Sequence, residues 1–172
     1  LDATRDAYQP FLEAVRAVPG VVLTVHCSGG LLAFLREKAR PTFDLLGRLA
    51  SEGRVEVLTG GFYEPILAML PDGDKVGQIE ALSEFLRANF GVRPRGMWLA
   101  ERVWEPQLPK VLRAAGVEFV VVDDAHFALA GLEPEALGGY YQTEEQGDSV
   151  AVFPISQRLR YLVPFGEPAE TV

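Results

Sequence analysis

The 172-residue sequence has a single cysteine, Cys27, so it can form neither a disulfide within the chain nor a cysteine-based zinc cage. This scarcity favours a reducing compartment, and we predict a cytoplasmic protein. No apolar run approaches the roughly 20 residues that a membrane-spanning helix requires. The N-terminus lacks the basic region and apolar stretch of a signal peptide, and it does not begin with methionine.

The sequence also lacks a Walker phosphate-binding loop and a G-x-G-x-x-G dinucleotide fingerprint. Basic residues are outnumbered, since 16 Lys and Arg against 24 Asp and Glu give a formal net charge of -8. Nucleic acids and anionic membrane surfaces both require clustered positive charge, so we expect neither as the main partner. The oligomeric state is not indicated by the sequence.

The chain alternates between strand-like and helix-like segments. Short, largely apolar runs rich in β-formers predict five strands, at 21–26, 54–59, 96–100, 118–123 and 149–153. Helical spacing of apolar residues predicts helices at 4–17, 41–52, 74–89 and 106–115. Segments 60–73 and 129–147 are predicted as loops, the second with a short helical turn. The pattern predicts an α/β fold whose mainly parallel sheet is covered on both faces.

Ionisable residues are concentrated where the predicted strands end. His26 closes the first strand, Glu101 follows the third, and Asp123 and Asp124 close the fourth. This edge carries the active site of a (β/α) barrel and the ligand crevice of an open α/β sheet. Glu56 stands between two valines inside the second strand, where a buried carboxylate would need a partner. A core role for His26 and a capping role for the aspartates are the alternatives.

Two chemistries are compatible with this layout. Carboxylates without a catalytic cysteine or an evident nucleophilic serine suit glycoside hydrolysis, which needs one ionised and one protonated carboxyl group across the scissile bond. Alternatively, the cluster of Asp123, Asp124 and His126 is suited to a divalent metal that assists hydrolysis. The spacing alone does not separate these possibilities. Arg102, beside Glu101, either pairs with a neighbouring carboxylate or braces the fold.

Four segments resemble those of one known family. The run WLAERVWEP at 98–106 closely resembles the nucleophile motif of glycoside hydrolase family 57. The run GRVEVLTGGFYEP at 53–65 is similar to the second motif of that family and the loop after it. VVVDDAHF at 120–127 and FPISQRLRYLVPF at 153–165 resemble its α-amylase and 4-α-glucanotransferase branch. The resemblance covers nearly the whole chain, and its specificity lies in the combination.

The resemblance implies a (β/α)₇ barrel, of which this chain would be an incomplete part, and a retaining mechanism on α-1,4-glucans or maltooligosaccharides. It implies no required metal or other cofactor. Residue by residue, Glu101 matches the family nucleophile, Glu56 the glutamate that lines the donor sugar site, and Trp98 the aromatic residue that opens the nucleophile motif. Three further substrate-site candidates depend mainly on their strand-end positions: His26, Asp123 and Asp124.

The chain departs from the family pattern in two places. The first motif, His-Gln-Pro on the opening strand, is absent, and the Asp that serves as general acid/base is expected beyond Val172. The five predicted strands also fall short of the seven that the family barrel needs. We therefore expect residues 1–172 to be a single incomplete catalytic barrel domain, truncated at both ends. A natural half-barrel that pairs within a larger assembly is the alternative.

The sequence leaves three functions open. The first is a retaining α-glucan hydrolase or 4-α-glucanotransferase, as part of a longer chain and inactive as this piece alone. The second is a metal-dependent polysaccharide deacetylase or mannosidase-like hydrolase that uses Asp123, Asp124 and His126. The third is a non-catalytic carbohydrate-binding piece.

Overall fold

A computed structural model of the chain describes residues 2–162. Its α-helices are α1 (Gln9–Ala17), α2 (Gly29–Lys38), α3 (Arg40–Ser51), α4 (Asp72–Phe90), α5 (Leu108–Ala114), α6 (Asp124–Leu129) and α7 (Gln157–Leu162). Its strands are β1 (Leu23–His26), β2 (Val55–Leu58), β3 (Gly96–Trp98), β4 (Phe119–Asp123), β5 (Tyr141–Glu145) and β6 (Asp148–Ile155). Short helical segments of other types lie at Thr4–Tyr8, Leu67–Met69, Ala100–Arg102 and Pro134–Ala136. Within this part of the chain, no helix is both long enough and apolar enough to span a membrane.

The strands form two hydrogen-bonded groups that meet at Thr59. Strands β1 and β2 pair in parallel, and the second group has the order β3-β4-β6-β5, with β5 as its antiparallel member. Thr59 forms a parallel bridge with Met97, in which the Thr59 amide donates to the Gly96 carbonyl and the Trp98 amide donates to the Thr59 carbonyl, both at 2.9 Å. The mainly parallel α/β fold is thus confirmed. The strands do not close into a barrel within residues 2–162.

Apolar side chains on one face of the strands pack beneath the helices. One buried cluster joins β2 to α1, α2, α3 and α4, and a second joins β3, β4 and β6 to α4, α5 and α6. Helix α4 serves both clusters, because its Leu82 and Leu86 enter the first and its Ile79 enters the second. The two halves of the sheet are therefore held under one long helix.

The opposite face of the strands is open in the described part of the chain. Because side chains alternate along a strand, Thr24 and His26 share this face with Glu56, Trp98 and their paired neighbours. Thr24 and Glu56 are exposed there. The predicted coverage of both faces and the predicted burial of Glu56 are therefore wrong for residues 2–162.

Four elements escaped the sequence prediction, namely α2, α6, α7 and β5. Helix α2 begins at a glycine pair of low helix propensity, and the Ser28 hydroxyl caps it by accepting a hydrogen bond from the Leu31 amide at 3.2 Å. Segment 129–147, predicted as a loop, contains β5, whose exposure alternates along its length. Its predicted helical turn is present at Pro134–Ala136. The last three positions of the run 153–165 lie outside the described residues.

Replacement of two glycines by alanine is expected to change the stability of the protein in opposite directions. A methyl group at Gly96 would overlap the Phe119 ring and lie 2.7 Å from Leu58 Cδ2, whereas one at Gly77, in the middle of α4, meets nothing within 4 Å. We expect Gly96→Ala to lower the free energy of unfolding by about 1–3 kcal/mol. We expect Gly77→Ala to raise it by about 0.5–1 kcal/mol, since alanine favours the helix. Urea unfolding of the two variants checks this pair, and a Gly96→Ala protein as stable as its parent would contradict it.

Candidate active site

The carboxyl ends of the parallel strands bring one continuous row of side chains together. The row runs from Glu64 through His26 and Trp98 to Arg102 and Asp123. Its members come from the end of β1, the loop after β2, the end of β3 and the turn that follows it, and the end of β4. The predicted edge of the sheet is thus where the polar and aromatic groups converge.

His26 is the centre of the first half of the row. Its Nε2 lies 2.7 Å from Glu64 Oε1, and its ring stacks on Trp98 with centroids 6.2 Å apart and planes inclined by 20°. Only 10% of the His26 side chain is exposed. Gly60 permits this approach, because a Cβ there would stand 2.7 Å from His26 Cε1 and 3.2 Å from the Trp98 carbonyl oxygen.

Asp123 is the centre of the second half. Its carboxylate accepts hydrogen bonds from Arg102 Nε at 3.2 Å, from Arg160 at 3.3 Å and from Gln157 Nε2 at 3.4 Å. Arg102 also lies over the Trp98 ring, with its guanidinium carbon 5.7 Å from the ring centroid. The sequence left open whether Arg102 pairs with a carboxylate, and in the structure it does.

Glu101 follows β3 in a turn of unusual backbone conformation. Glu101 and Arg102 both have positive φ, at 53° and 54°, which is a left-handed conformation that glycine tolerates best. Each such residue costs on the order of 1–2 kcal/mol for an L-amino acid. Glu64, in the same row, has a φ of 53° as well. Non-glycine residues in this region cluster at functional sites, where surrounding contacts maintain them.

The Glu101 side chain is exposed at the edge of the sheet. No hydrogen bond or ion pair from a residue between 2 and 162 reaches its carboxylate. Within the described part of the chain, the carboxylate is therefore exposed to solvent and has no partner.

Glu56 lies deeper on the same open face, at the second position of β2. Its carboxylate accepts a hydrogen bond from the Thr24 hydroxyl at 3.2 Å. The strand continues for two residues beyond Glu56, so this carboxylate lies roughly 7 Å below the end of β2. It forms part of the floor of the open face rather than of the row.

The three residues that suggested a metal site do not converge on one. Asp124 accepts a hydrogen bond from the Gln157 amide at 3.2 Å, and His126 Nε2 donates to the Arg102 carbonyl at 3.1 Å. Asp123 is already engaged by two guanidinium groups and an amide. Over residues 2–162, no group of three or more His, Cys, Asp and Glu side chains is arranged to hold a metal ion.

Sequence reasoning missed three members of the site, namely Glu64, Gln157 and Arg160. Glu64 lies in a segment predicted only as a loop, and the other two lie on α7, which was not predicted. Both segments belong to runs that carry the family resemblance. A signal was therefore present, although local spacing does not show that these loops return to the strand ends.

The fold and the site define an α/β protein whose candidate site lies at the carboxyl edge of a mainly parallel sheet. Comparison with known proteins identifies the group to which it belongs. The family described as Glycosyl hydrolase family 57 matches residues 1–172, and the chain belongs to that family.

Three similar proteins illustrate the match. The chain is 51% identical to Alpha-amylase 1 of Dictyoglomus thermophilum over 96% of its own length and 24% of that protein. It is 48% identical to a 4-alpha-glucanotransferase of Thermococcus kodakarensis over 92% of its length and 24% of that protein. The crystal structure of the 4-alpha-glucanotransferase from Thermococcus litoralis superposes with a TM-score of 0.92 at 45% identity, covering 98% of this chain and 27% of that one. The chain thus spans about a quarter of the length of these relatives.

Cys27, next to His26, provides a chemical test of the packing around the row. Burial of the Cys27 thiol, with a smaller contribution from the negative charge of Glu64, raises its pKa to about 11. The thiolate is the reactive form, so we expect iodoacetamide at pH 8 to label the folded protein at least tenfold more slowly than the urea-unfolded protein. Labelling of the folded protein should accelerate as the pH rises towards 11. Equal rates in the two states would contradict the partly buried position of the thiol.

Proposed function

We propose that this chain carries the nucleophile half of a retaining active site that acts on α-1,4-linked glucans. The observation that carries the proposal is Glu101, an exposed carboxylate held in a left-handed turn beside Trp98 at the sheet edge. Membership of family 57 supports it, as do relatives named as alpha-amylase and 4-alpha-glucanotransferase at 48–51% identity. Because the chain spans about a quarter of these relatives, the activity belongs to the complete protein that contains it.

The sheet is, on this proposal, part of a (β/α)₇ barrel. Its apolar face is already covered by helices, as the outer face of barrel strands is. The open face, with Thr24 and Glu56, then becomes the barrel interior. This accounts for an exposed carboxylate in the middle of a strand that is otherwise buried.

Glu101 acts as the nucleophile in a double displacement. Its carboxylate oxygen forms a bond to the anomeric carbon while the glycosidic C–O bond breaks, and a second carboxyl group donates a proton to the departing oxygen. That group, now ionised, removes a proton from water or a sugar hydroxyl, which attacks the anomeric carbon and frees Glu101. Water as acceptor gives hydrolysis and a sugar hydroxyl gives transfer, so the proposal includes both. The second carboxyl group is the Asp expected beyond Val172, within about 5–5.5 Å of Glu101.

The row and the floor of the open face divide substrate binding between them. Trp98 offers an aromatic surface for a glucose ring, and the polar groups of His26 and Glu56 are suited to sugar hydroxyls. Asp123 and Asp124 stay predicted members of the substrate site. Their carboxylates already accept hydrogen bonds from Arg102, Arg160 and Gln157. This favours an indirect role, in which the two carboxylates position these partner side chains and do not themselves bind the sugar.

Replacement of the nucleophile tests the proposal in the complete natural protein that contains this sequence. We expect Glu101→Gln to lower kcat on maltoheptaose by a factor on the order of a thousand or more, since the amide cannot form the glycosyl ester. Glu80→Gln, on the exposed side of α4, is the matched control and should retain parental activity. Incubation with 5-fluoro-α-glucosyl fluoride should attach one glycosyl group to the peptide that contains residue 101, as read by mass spectrometry. Near-parental turnover by Glu101→Gln, or labelling elsewhere, would overturn the assignment.

Metal dependence separates this mechanism from the metal-assisted alternative. The proposed double displacement needs only two carboxyl groups, so prolonged treatment of the complete protein with EDTA or 1,10-phenanthroline should leave maltoheptaose turnover unchanged. Loss of turnover that zinc restores, without loss of secondary structure by circular dichroism, would favour a metal-dependent hydrolase instead.

A further inference from the structure

The direction of the Glu101 carboxylate depends on the backbone beneath it. In the described part of the chain its side chain is exposed and receives no hydrogen bond, so no neighbouring side chain fixes its rotamer. What aims it is the left-handed turn formed by Glu101 and Arg102, with φ of 53° and 54°. Relaxation of this turn towards ordinary φ values would carry the carboxylate away from its position at the sheet edge.

The turn is held through Arg102 at three points. The Arg102 amide donates to the Leu99 carbonyl at 2.8 Å, and its guanidinium Nε donates to Asp123 at 3.2 Å. The Arg102 carbonyl accepts a hydrogen bond from His126 Nε2 at 3.1 Å. Because a carbonyl oxygen only accepts, the proton of this contact resides on Nε2 of the imidazole.

His126 holds the turn from outside the row. It lies in the first turns of α6, which begins immediately after β4, and its ring is partly buried. It also lines a cavity of about 270 Å³ with Trp104 and Val122, a residue of the helix-covered face. Among the groups described above as contacting Arg102, the His126 imidazole is therefore the one that approaches from the helix-covered face of the sheet.

We propose that His126 is a positioning residue that aims the nucleophile by fixing the Arg102 carbonyl, a proposal that depends on the nucleophile role of Glu101. Loss of the donor leaves a partly buried carbonyl without this partner, and the strained turn then loses one of its three restraints. No hydrogen bond or ion pair joins the imidazole to the Glu101 carboxylate within residues 2–162. Its effect should fall on the rate of bond formation at Glu101, and not on the affinity for the glucan.

Two substitutions of similar size test this in the complete protein. Glutamine at position 126 retains an N–H donor at about the place of Nε2, whereas methionine fills similar space without a donor. We expect His126→Met to lower kcat on maltoheptaose at least tenfold relative to His126→Gln, with KM values within threefold of each other. The rate of covalent labelling by 5-fluoro-α-glucosyl fluoride should fall by the same factor as kcat. Melting temperatures of the two variants identify any difference in folding.

The outcomes separate a positioning role from a structural one and from failure of the proposed function. Equal kcat and equal labelling rates in folded His126→Met and His126→Gln would overturn the positioning role. A loss expressed only in melting temperature, with the specific activity of the folded protein unchanged, would overturn it too. If Glu101→Gln remains active or the label attaches elsewhere, the nucleophile assignment fails. Inactive Glu101→Gln with equal position-126 variants refutes only the role of His126.

Discussion

The contact between Thr59 and β3 is the constraint on which the site depends. It is the bridge between the two groups of strands in the described residues, and it brings His26, with its partner Glu64, beside Trp98. Thr59 is 1% exposed, and its hydroxyl forms a 2.8 Å hydrogen bond with Ser83 Oγ on α4, the helix that serves both apolar clusters. One buried threonine therefore connects the strand pairing, the helix layer and the alignment of the row.

The two faces of the sheet differ in polarity because of this arrangement. The helix-covered face is mainly hydrocarbon, with the Thr59–Ser83 hydrogen bond as a polar contact within it, so apolar packing supplies most of its stabilisation of the strands. The open face and the strand ends carry polar groups, among them Glu64 in contact with His26 Nε2 and Asp123 paired with two arginines. Removal of Asp123 would leave the partly buried guanidinium groups of Arg102 and Arg160 without their shared anionic partner. This carboxylate therefore stabilises the edge of the sheet in addition to being a candidate residue of the site.

Much of the fold was predictable because its signals are local. Strands β2, β3 and β4 are apolar runs, α4 ends at the left-handed Gly91, and the strand-end rule placed His26 and Glu101 at one edge. Helix α2 was missed because its start depends on a cap, and β5 because its stability comes from pairing with β6 rather than from composition. Contacts between residues that are far apart in the sequence were not predictable either. His26 and Glu64 are 38 positions apart in the chain, and Asp123 and Arg160 are 37 positions apart, so the local sequence carries no record of the contacts that they form. The strained turn at Glu101 could not be predicted from backbone propensities, because contacts with distant residues such as Asp123 and His126 maintain it.

Gly60 determines how closely the ends of β1 and β3 approach each other at the candidate site. It has no side chain, yet its backbone lies against the His26 ring and the Trp98 carbonyl, where any Cβ would act as a wedge. The close approach of the ends of β1 and β3 at this point therefore depends on the missing side chain of Gly60. A residue with a Cβ at position 60 would require the His26 ring or the Trp98 carbonyl to move.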